Sequence, residues 1–127
     1  MYTDVREAYR EKVQVVTIDD VVSRLSISKV AVIKVDVEGA EADVIAGAAQ
    51  TIARARPALI LEIASAALAP GHGGRSSIES LLRSHGYSFA AVDGDAAVVR
   101  RVGDLTANAE NFVAAPQQVI DSLQPMT

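Results

Sequence analysis

The stretch from Val30 to Gly47 constrains the fold of this chain more than any other, and it reads VAVIKVDVEGAEADVIAG. Its first residues are almost continuously apolar and β-branched, which is typical of a strand buried in a parallel sheet. Two carboxylates, Asp36 and Glu38, follow at once, then Gly39, and then an apolar pattern with helical spacing. The carboxyl ends of parallel strands are where open α/β sheets bind their ligands. The passage therefore predicts a strand, a tight turn and a helix, with the candidate chemistry at the turn.

Length and composition exclude several classes of protein. A chain of 127 residues suits one domain with a real core. The net charge of −4 argues against a nucleic-acid or anionic-membrane partner, since both select for basic patches. No apolar run approaches the roughly 20 residues of a membrane span, and the charged amino end lacks the apolar core of a signal peptide. The chain has no Cys, which excludes disulfides and thiolate metal sites and is compatible with a reducing cytoplasm, where we expect the protein.

Strand-like and helix-like segments alternate along the chain. The segments with strand patterns are Val13–Val16, Val30–Asp36, Ala58–Ile63, Tyr87–Val92, Ala96–Val102 and Asn111–Ala114. Helices are predicted after a Thr17/Asp20 capping box, from about Ala40 to Arg54, from a Ser76/Glu79 capping box to Gly86, and after Pro116. An Asp93-Gly94-Asp95 turn joins two of the strands into a hairpin. This order predicts an α/β fold: an open sheet, parallel at first, with an antiparallel hairpin at its far edge and helices on both faces.

Five stretches resemble the FkbM-type S-adenosylmethionine-dependent methyltransferases in content and in order. In chain order they are VQVVTIDDVV, IKVDVEGAEADVIAGA, RPALILEI, GYSFAAVDGD and NFVAAP. The resemblance covers roughly residues 13–120 of a single partial domain spanning 1–127, with residues 1–12 as a leader. It implies a Rossmann-like methyltransferase sheet that corresponds to the carboxyl-terminal half of the family's domain. The family's glycine-rich cofactor-binding turn should precede this region and is not found in it.

The resemblance also implies an activity. The whole domain would bind S-adenosylmethionine and pass its methyl group to a small-molecule acceptor, most plausibly a hydroxyl of a sugar or secondary metabolite. Because the cofactor-binding half is not found, we expect this chain alone to bind the cofactor weakly or not at all, and to be inactive. The alternative is a non-catalytic α/β module that acts by self-association or partner binding. A nucleotide-binding Rossmann unit is less favoured, since no G-x-G-x-x-G stretch is present.

The candidate site residues follow the two predicted parallel strands. Asp36 would contact the cofactor, orient the acceptor hydroxyl or, on the simpler interpretation, accept backbone N–H groups where the helix starts. Glu38 would point the same way if the strand persisted, and Glu62 ends the next strand, so the three carboxylates could bind a divalent cation. His72 lies in a glycine-rich loop, either as a base for the acceptor or as a solvated loop residue. Gly39 would supply a positive φ or a close approach of the backbone to the cofactor.

Two further expectations concern single segments. Glu41 falls in the first turn of a predicted helix, where it would complement the helix dipole and reach back to cap. The strand Val30–Asp36 would be an edge without the missing half, carrying only Lys34 as an inward charge, and such an edge is a template for pairing with another chain. We therefore expect a homo-oligomer joined through Val30–Asp36, unless Val13–Val16 or the amino-terminal segment covers that edge.

Overall fold

A single five-stranded sheet organises the computed structural model, which describes residues 11–63, 74–93, 98–105 and 109–123. The helices are α1 (Ile18–Arg24), α2 (Glu41–Ala46), α3 (Ala49–Ala55), α4 (Arg75–Ser84) and α5 (Gln117–Ser122). The strands are β1 (Val32–Val35), β2 (Ala58–Glu62), β3 (Tyr87–Asp93), β4 (Val98–Val102) and β5 (Asn111–Pro116).

The strand order is β1-β2-β5-β3-β4. β1 and β2 are parallel, and every other pairing is antiparallel. The predicted mixed sheet, with its β3–β4 hairpin at one edge, is thus confirmed; residues 94–97 of the hairpin turn lie outside the described part. The position of β5 in the sheet was not predicted from the sequence. This strand comes last in the sequence but lies between β2 and β3, so it joins the parallel pair to the hairpin.

Helices cover both faces of the sheet, as predicted. On one face, side chains from α2, α3 and α4 pack on the main core, whose largest members include Phe89 and Phe112. On the other face, Ile120 of α5 packs against Ala90 and Ala115. No helix in the described part of the chain has the length and hydropathy that crossing a membrane requires.

The predicted strand Val13–Val16 is wrong. Residues 11–17 have no regular secondary structure, and Val13 and Val15 are 75% and 91% exposed. Alternating apolar residues form a strand only where a sheet edge pairs with them, and in the described residues this segment has no such partner.

The predicted long helix from Ala40 to Arg54 is divided into α2 and α3. Asp19 of α1 stabilises this division, because its carboxylate accepts the backbone N–H groups of Gln50 at 2.9 Å and Thr51 at 2.8 Å. These are first-turn donors of α3, so a remote side chain supplies the cap that its own residue Ala48 does not. Gly47 permits the close approach, because a Cβ there would lie 3.2 Å from the Thr17 Cβ.

Helix starts were predicted correctly in one case and incorrectly in another. Thr17 caps α1, its Oγ1 accepting the Asp20 backbone N–H at 3.0 Å. Ser76 does not cap α4, because that helix already begins at Arg75, after Gly74. The Arg75 guanidinium fixes this start by donating to three backbone carbonyls, those of Ile63, Leu105 and Ala109.

β1 is less buried than its apolar sequence suggests. Val35 is buried, but Val32 is 55% exposed and Lys34 is exposed as well. The strand lies at the edge of the sheet, and α5, which covers this face elsewhere, packs near β3 and β5 instead. The expectation of a strand buried on both faces is therefore wrong, and Lys34 points away from the core rather than inward.

Candidate functional site

The carboxyl ends of β1 and β2 lie side by side. Val35 is opposite Leu61 in the parallel register, so Asp36 follows β1 at the level where Glu62 ends β2. The sequence prediction that Asp36 and Glu62 belong to adjacent parallel strands is confirmed. Both lie at the carboxyl ends of the parallel strands, where open α/β folds bind ligands.

Lys34 supplies a positive charge near the carboxyl end of β1. Its Nζ donates to Asp36 Oδ2 at 2.9 Å, and the side chains are 60% and 44% exposed. This hydrogen bond and the Asp36 charge, with a smaller contribution from Glu62, raise the pKa of Lys34. A pair this exposed contributes little to stability, so its importance is local: it orients Asp36 and partly neutralises it.

Lys34 was missed as a site residue, although a signal was present. Residues two apart on a strand share a face, so the spacing of Lys34 and Asp36 already put both side chains on the same side of β1. The sequence interpretation treated Lys34 only as the single inward charge of a predicted edge strand.

The turn after β1 has an unusual backbone. Glu38 has φ +50° and Gly39 has φ +114°. The positive φ expected for Gly39 is confirmed, whereas at Glu38 a left-handed conformation is uncommon and costs roughly 1–2 kcal/mol. Because β1 ends at Val35, the condition under which Glu38 would point with Asp36 is not met. Strain of this kind clusters at functional sites, and Glu38 is exposed on this turn, two residues after Asp36.

Glu41 stabilises this turn from the protein interior. It is 1% exposed, and its Oε1 accepts the Gly39 backbone N–H at 2.9 Å, so the predicted reach backwards is confirmed. Its Oε2 is buried and has no hydrogen-bond partner in the described part of the chain. A buried carboxylate with a free oxygen is costly, which makes Glu41 more than a surface charge complementing the helix dipole.

The carboxylates do not gather into a metal site. Within the described ranges, no group of three or more His, Cys, Asp or Glu side chains is placed to hold a metal ion. Asp36 is paired with Lys34 instead, and Glu38 lies on the left-handed turn after β1. His72 lies outside the described residues, so its role as a base stays a prediction.

A cavity of about 450 Å³ lies elsewhere, between α1 and α3. Asp19 and Arg54 line it, together with Ser28 and Val30, which lead into the amino end of β1. The cavity is therefore separate from the carboxyl-end site formed by Asp36 and Glu62.

The turn at the end of β1 lies within a family match. The model of the methyltransferase FkbM domain matches residues 2–89, a range that contains β1, β2 and all helices except α5. The chain belongs to the FkbM methyltransferase domain family. The match starts before residue 13 and ends before residue 120, so the domain limits inferred from the resemblance stay a prediction. Neither a curated protein nor a solved structure matches this FkbM-domain chain.

Proposed function

We propose that this chain forms the acceptor side of an S-adenosylmethionine-dependent methyltransferase that modifies a hydroxyl oxygen of a small molecule, such as a sugar or secondary metabolite. One observation carries the proposal. In a chain of the FkbM family, Asp36 and Glu62 lie side by side at the carboxyl ends of adjacent parallel strands. The parallel pair, with helices on both faces of the sheet, supports a Rossmann-like arrangement in which ligands bind at this edge.

The proposed roles follow from the chemistry of methyl transfer to oxygen. When bound, S-adenosylmethionine would supply a methyl group that is activated by the adjacent sulfonium charge, and the acceptor hydroxyl would have to give up its proton. Asp36 and Glu62 would accept hydrogen bonds from the acceptor and align it, which is the positioning contribution that a protein can make. Glu38, exposed on the strained turn, would add a contact, and His72 is the proposed base.

The residues of this chain fit only part of the cofactor. Carboxylates at the end of β1 suit ammonium and hydroxyl donors, and Gly39 adopts the positive φ of a tight turn beside them. However, Gly39 is the first glycine of the sequence, so no glycine-rich turn precedes β1 within these residues. The unpaired Glu41 Oε2 is buried, so it cannot bind the cofactor in place of such a turn. We therefore propose that this chain alone binds S-adenosylmethionine weakly or not at all.

A thermal-shift titration with S-adenosylmethionine tests the cofactor proposal, on this chain and on any longer product of the same gene. We expect no shift for the chain alone and a clear shift for the longer product. A micromolar dissociation constant for the isolated chain, measured by calorimetry, would contradict the proposal.

Substitution of Asp36 tests the candidate site in a product of the gene that transfers methyl groups. Asp36→Asn should lower methyl transfer by about 100-fold, because a small misplacement of the reacting group can cost on that order. Its melting temperature should hardly change, since Asp36 is exposed. Asp20→Asn is the matched control, an identical change at an exposed carboxylate on α1. Equal turnover for the two variants would reduce Asp36 to a group that merely caps the start of a helix.

A further inference from the structure

Three polar residues lie in one row across neighbouring strands at the candidate site. Val35 of β1 is opposite Leu61 of β2, so Asp36 is level with Glu62. Glu62 is in turn opposite Asn111, the first residue of β5. We call Asp36, Glu62 and Asn111 the polar row. Asn111 is remote from the other two residues in the sequence, and only the position of β5 in the sheet brings it to them.

The Glu62 and Asn111 side chains lie on the same face of the sheet and come close together. The next pair along the two strands is joined by a backbone hydrogen bond, from the Ile63 N–H to the Glu110 carbonyl at 2.7 Å. Hydrogen-bonded and non-hydrogen-bonded pairs alternate in an antiparallel ladder, so Glu62 and Asn111 form a non-hydrogen-bonded pair. Their Cβ atoms are therefore roughly 4.5–5.5 Å apart, and a molecule bound to one side chain lies within reach of the other.

Lys34 connects this face of the sheet to Asp36. It is opposite Ile60, which comes two residues before Glu62, so the Lys34 and Glu62 side chains lie on the same face. Lys34 donates to Asp36 at 2.9 Å, which places the Asp36 carboxylate on that side as well. Because neighbouring strands are about 4.8 Å apart, the polar row spans two strand spacings, or roughly 10 Å.

Arg75 fixes the ends of β2 and β5 that carry the Glu62–Asn111 pair. Its guanidinium donates to the Ile63 carbonyl at 2.6 Å and to the Ala109 carbonyl at 3.1 Å. The first carbonyl follows Glu62 directly, and the second lies two residues before Asn111. β5 is also paired on both sides, with β2 and with β3. The pair is thus preorganised, which lowers the cost of binding a ligand to both side chains.

We propose that Asn111 binds the methyl acceptor, and that the acceptor carries several neighbouring hydroxyl groups, as a sugar ring does. This inference rests on the proposed function, to which it adds a residue and a narrower acceptor class. The carboxylates of Asp36 and Glu62 only accept hydrogen bonds, whereas the Asn111 carboxamide both donates and accepts. Three side chains spaced one strand apart match several hydroxyls, and Asn111 can also donate to a ring oxygen that has no proton.

Binding of methyl glucoside to the chain, followed by NMR, tests the proposal, with cyclohexanol as a probe that has a single hydroxyl. The side-chain amide signals of Asn111 should shift on titration with methyl glucoside. Asn111→Ala should weaken this binding about fivefold to tenfold, because it deletes one or two hydrogen bonds. The response to cyclohexanol should not change, whereas a general disturbance of the site would alter both. Gln118→Ala, which removes an exposed carboxamide from α5, is the matched control and should leave both unchanged.

A second variant, Asn111→Asp, isolates the donor function of the amide. It keeps the size of the side chain, removes the donor hydrogens and places a like charge opposite Glu62. Binding of methyl glucoside should therefore weaken at least as much as in Asn111→Ala. Circular dichroism of each variant verifies that the chain remains folded, as expected for changes at an exposed residue where a strand begins.

Methyl transfer separates this inference from the proposed function. In a product of the gene that methylates a hydroxyl acceptor, Asn111→Ala should raise the KM for that acceptor about fivefold to tenfold and leave kcat nearly unchanged, because the contact is made equally in the ground and transition states. Active transfer with an unchanged KM would overturn the inference and leave the proposed function intact. Glucoside binding that depends on Asn111, in a gene product without methyl transfer, would contradict the proposed function and retain Asn111 as a binding residue.

Two results of the titrations would overturn the inference directly. One is the absence of methyl glucoside binding up to the solubility limit of the probe. The other is equal weakening by Asn111→Ala and Gln118→Ala, which would show that position 111 has no particular part in binding.

Discussion

Removing the remote cap of α3 should destabilise the protein markedly. The Asp19 carboxylate accepts three hydrogen bonds: from Gln50 N at 2.9 Å, from Thr51 N at 2.8 Å and from Thr51 Oγ1 at 2.7 Å. The change Asp19→Ala deletes all three. Because Asp19 is separated from its partners by 31 and 32 residues, it also ties α1 to α3, so the loss affects tertiary structure and not one helix alone.

The magnitude follows from the two kinds of bond. Loss of an N-cap costs about 1 kcal/mol. Thr51 is only 4% exposed, and its hydroxyl loses a charged partner, at a further cost of about 1.5 kcal/mol. We therefore expect the free energy of unfolding to fall by roughly 2–3 kcal/mol. For a domain of this size that corresponds to a fall in melting temperature of about 10 °C.

Urea denaturation at neutral pH measures the change, with Asp20→Ala as the matched control. Asp20 is exposed in the same first turn of α1, and its loss should cost about 0.5 kcal/mol or less. If Asp19→Ala were no more destabilising than Asp20→Ala, the interpretation of Asp19 as the cap of α3 would be wrong.

The pH dependence provides an independent check. Burial acts to raise the pKa of Asp19, but hydrogen bonds from Thr51 and Gln50 and the charge of Arg54 outweigh it and lower the pKa. A carboxylate with a lowered pKa stabilises the folded state fully above its unfolded value, and this contribution disappears as the pH falls through the folded value. The difference between the unmodified protein and Asp19→Ala should therefore be constant at neutral pH and shrink below pH 3.8, the ordinary pKa of the group. A difference that grows on acidification would contradict the assignment.

Two further substitutions test buried polar groups. Glu41→Gln keeps an acceptor for the Gly39 N–H and removes a buried charge, so it should leave stability unchanged or raise it. Glu41→Ala removes the acceptor and should lower the free energy of unfolding by about 1–2 kcal/mol, measured by urea denaturation. A strongly destabilised Gln variant would show that the free Glu41 oxygen has a partner. Tyr87→Phe deletes the bond from the Tyr87 hydroxyl to the Pro57 carbonyl at 2.7 Å and should cost about 1 kcal/mol. Burial, only partly opposed by Arg56, raises the pKa of Tyr87, so its contribution should persist below pH 10.0 and disappear above it, a loss that the Phe variant should not show in alkaline denaturation.

The local features of the candidate site could be predicted from the sequence. The apolar run that ends at Asp36, the positive φ of Gly39 and the Thr17 cap of α1 each depend on residues a few positions apart. The parallel pairing of β1 and β2 also followed, because a helical segment separates two apolar runs and returns the chain to the same side of the sheet. These local features are sufficient to predict that Asp36 and Glu62 follow neighbouring strands.

Other features depend on partners far away in the sequence, and only the tertiary structure decided them. Asp19 divides the segment 40–54 into two helices because packing brings it to the start of α3. β5 lies in the middle of the sheet although it comes last in the chain, and Val13–Val16 is no strand because no edge pairs with it. Periodicity and turn chemistry act over a few residues, so the sequence by itself determined the strand, turn and helix that carry the carboxylates. Which edges are free, which buried oxygen lacks a partner and where a helix breaks depend on contacts between distant residues, and those exist only once the chain has packed.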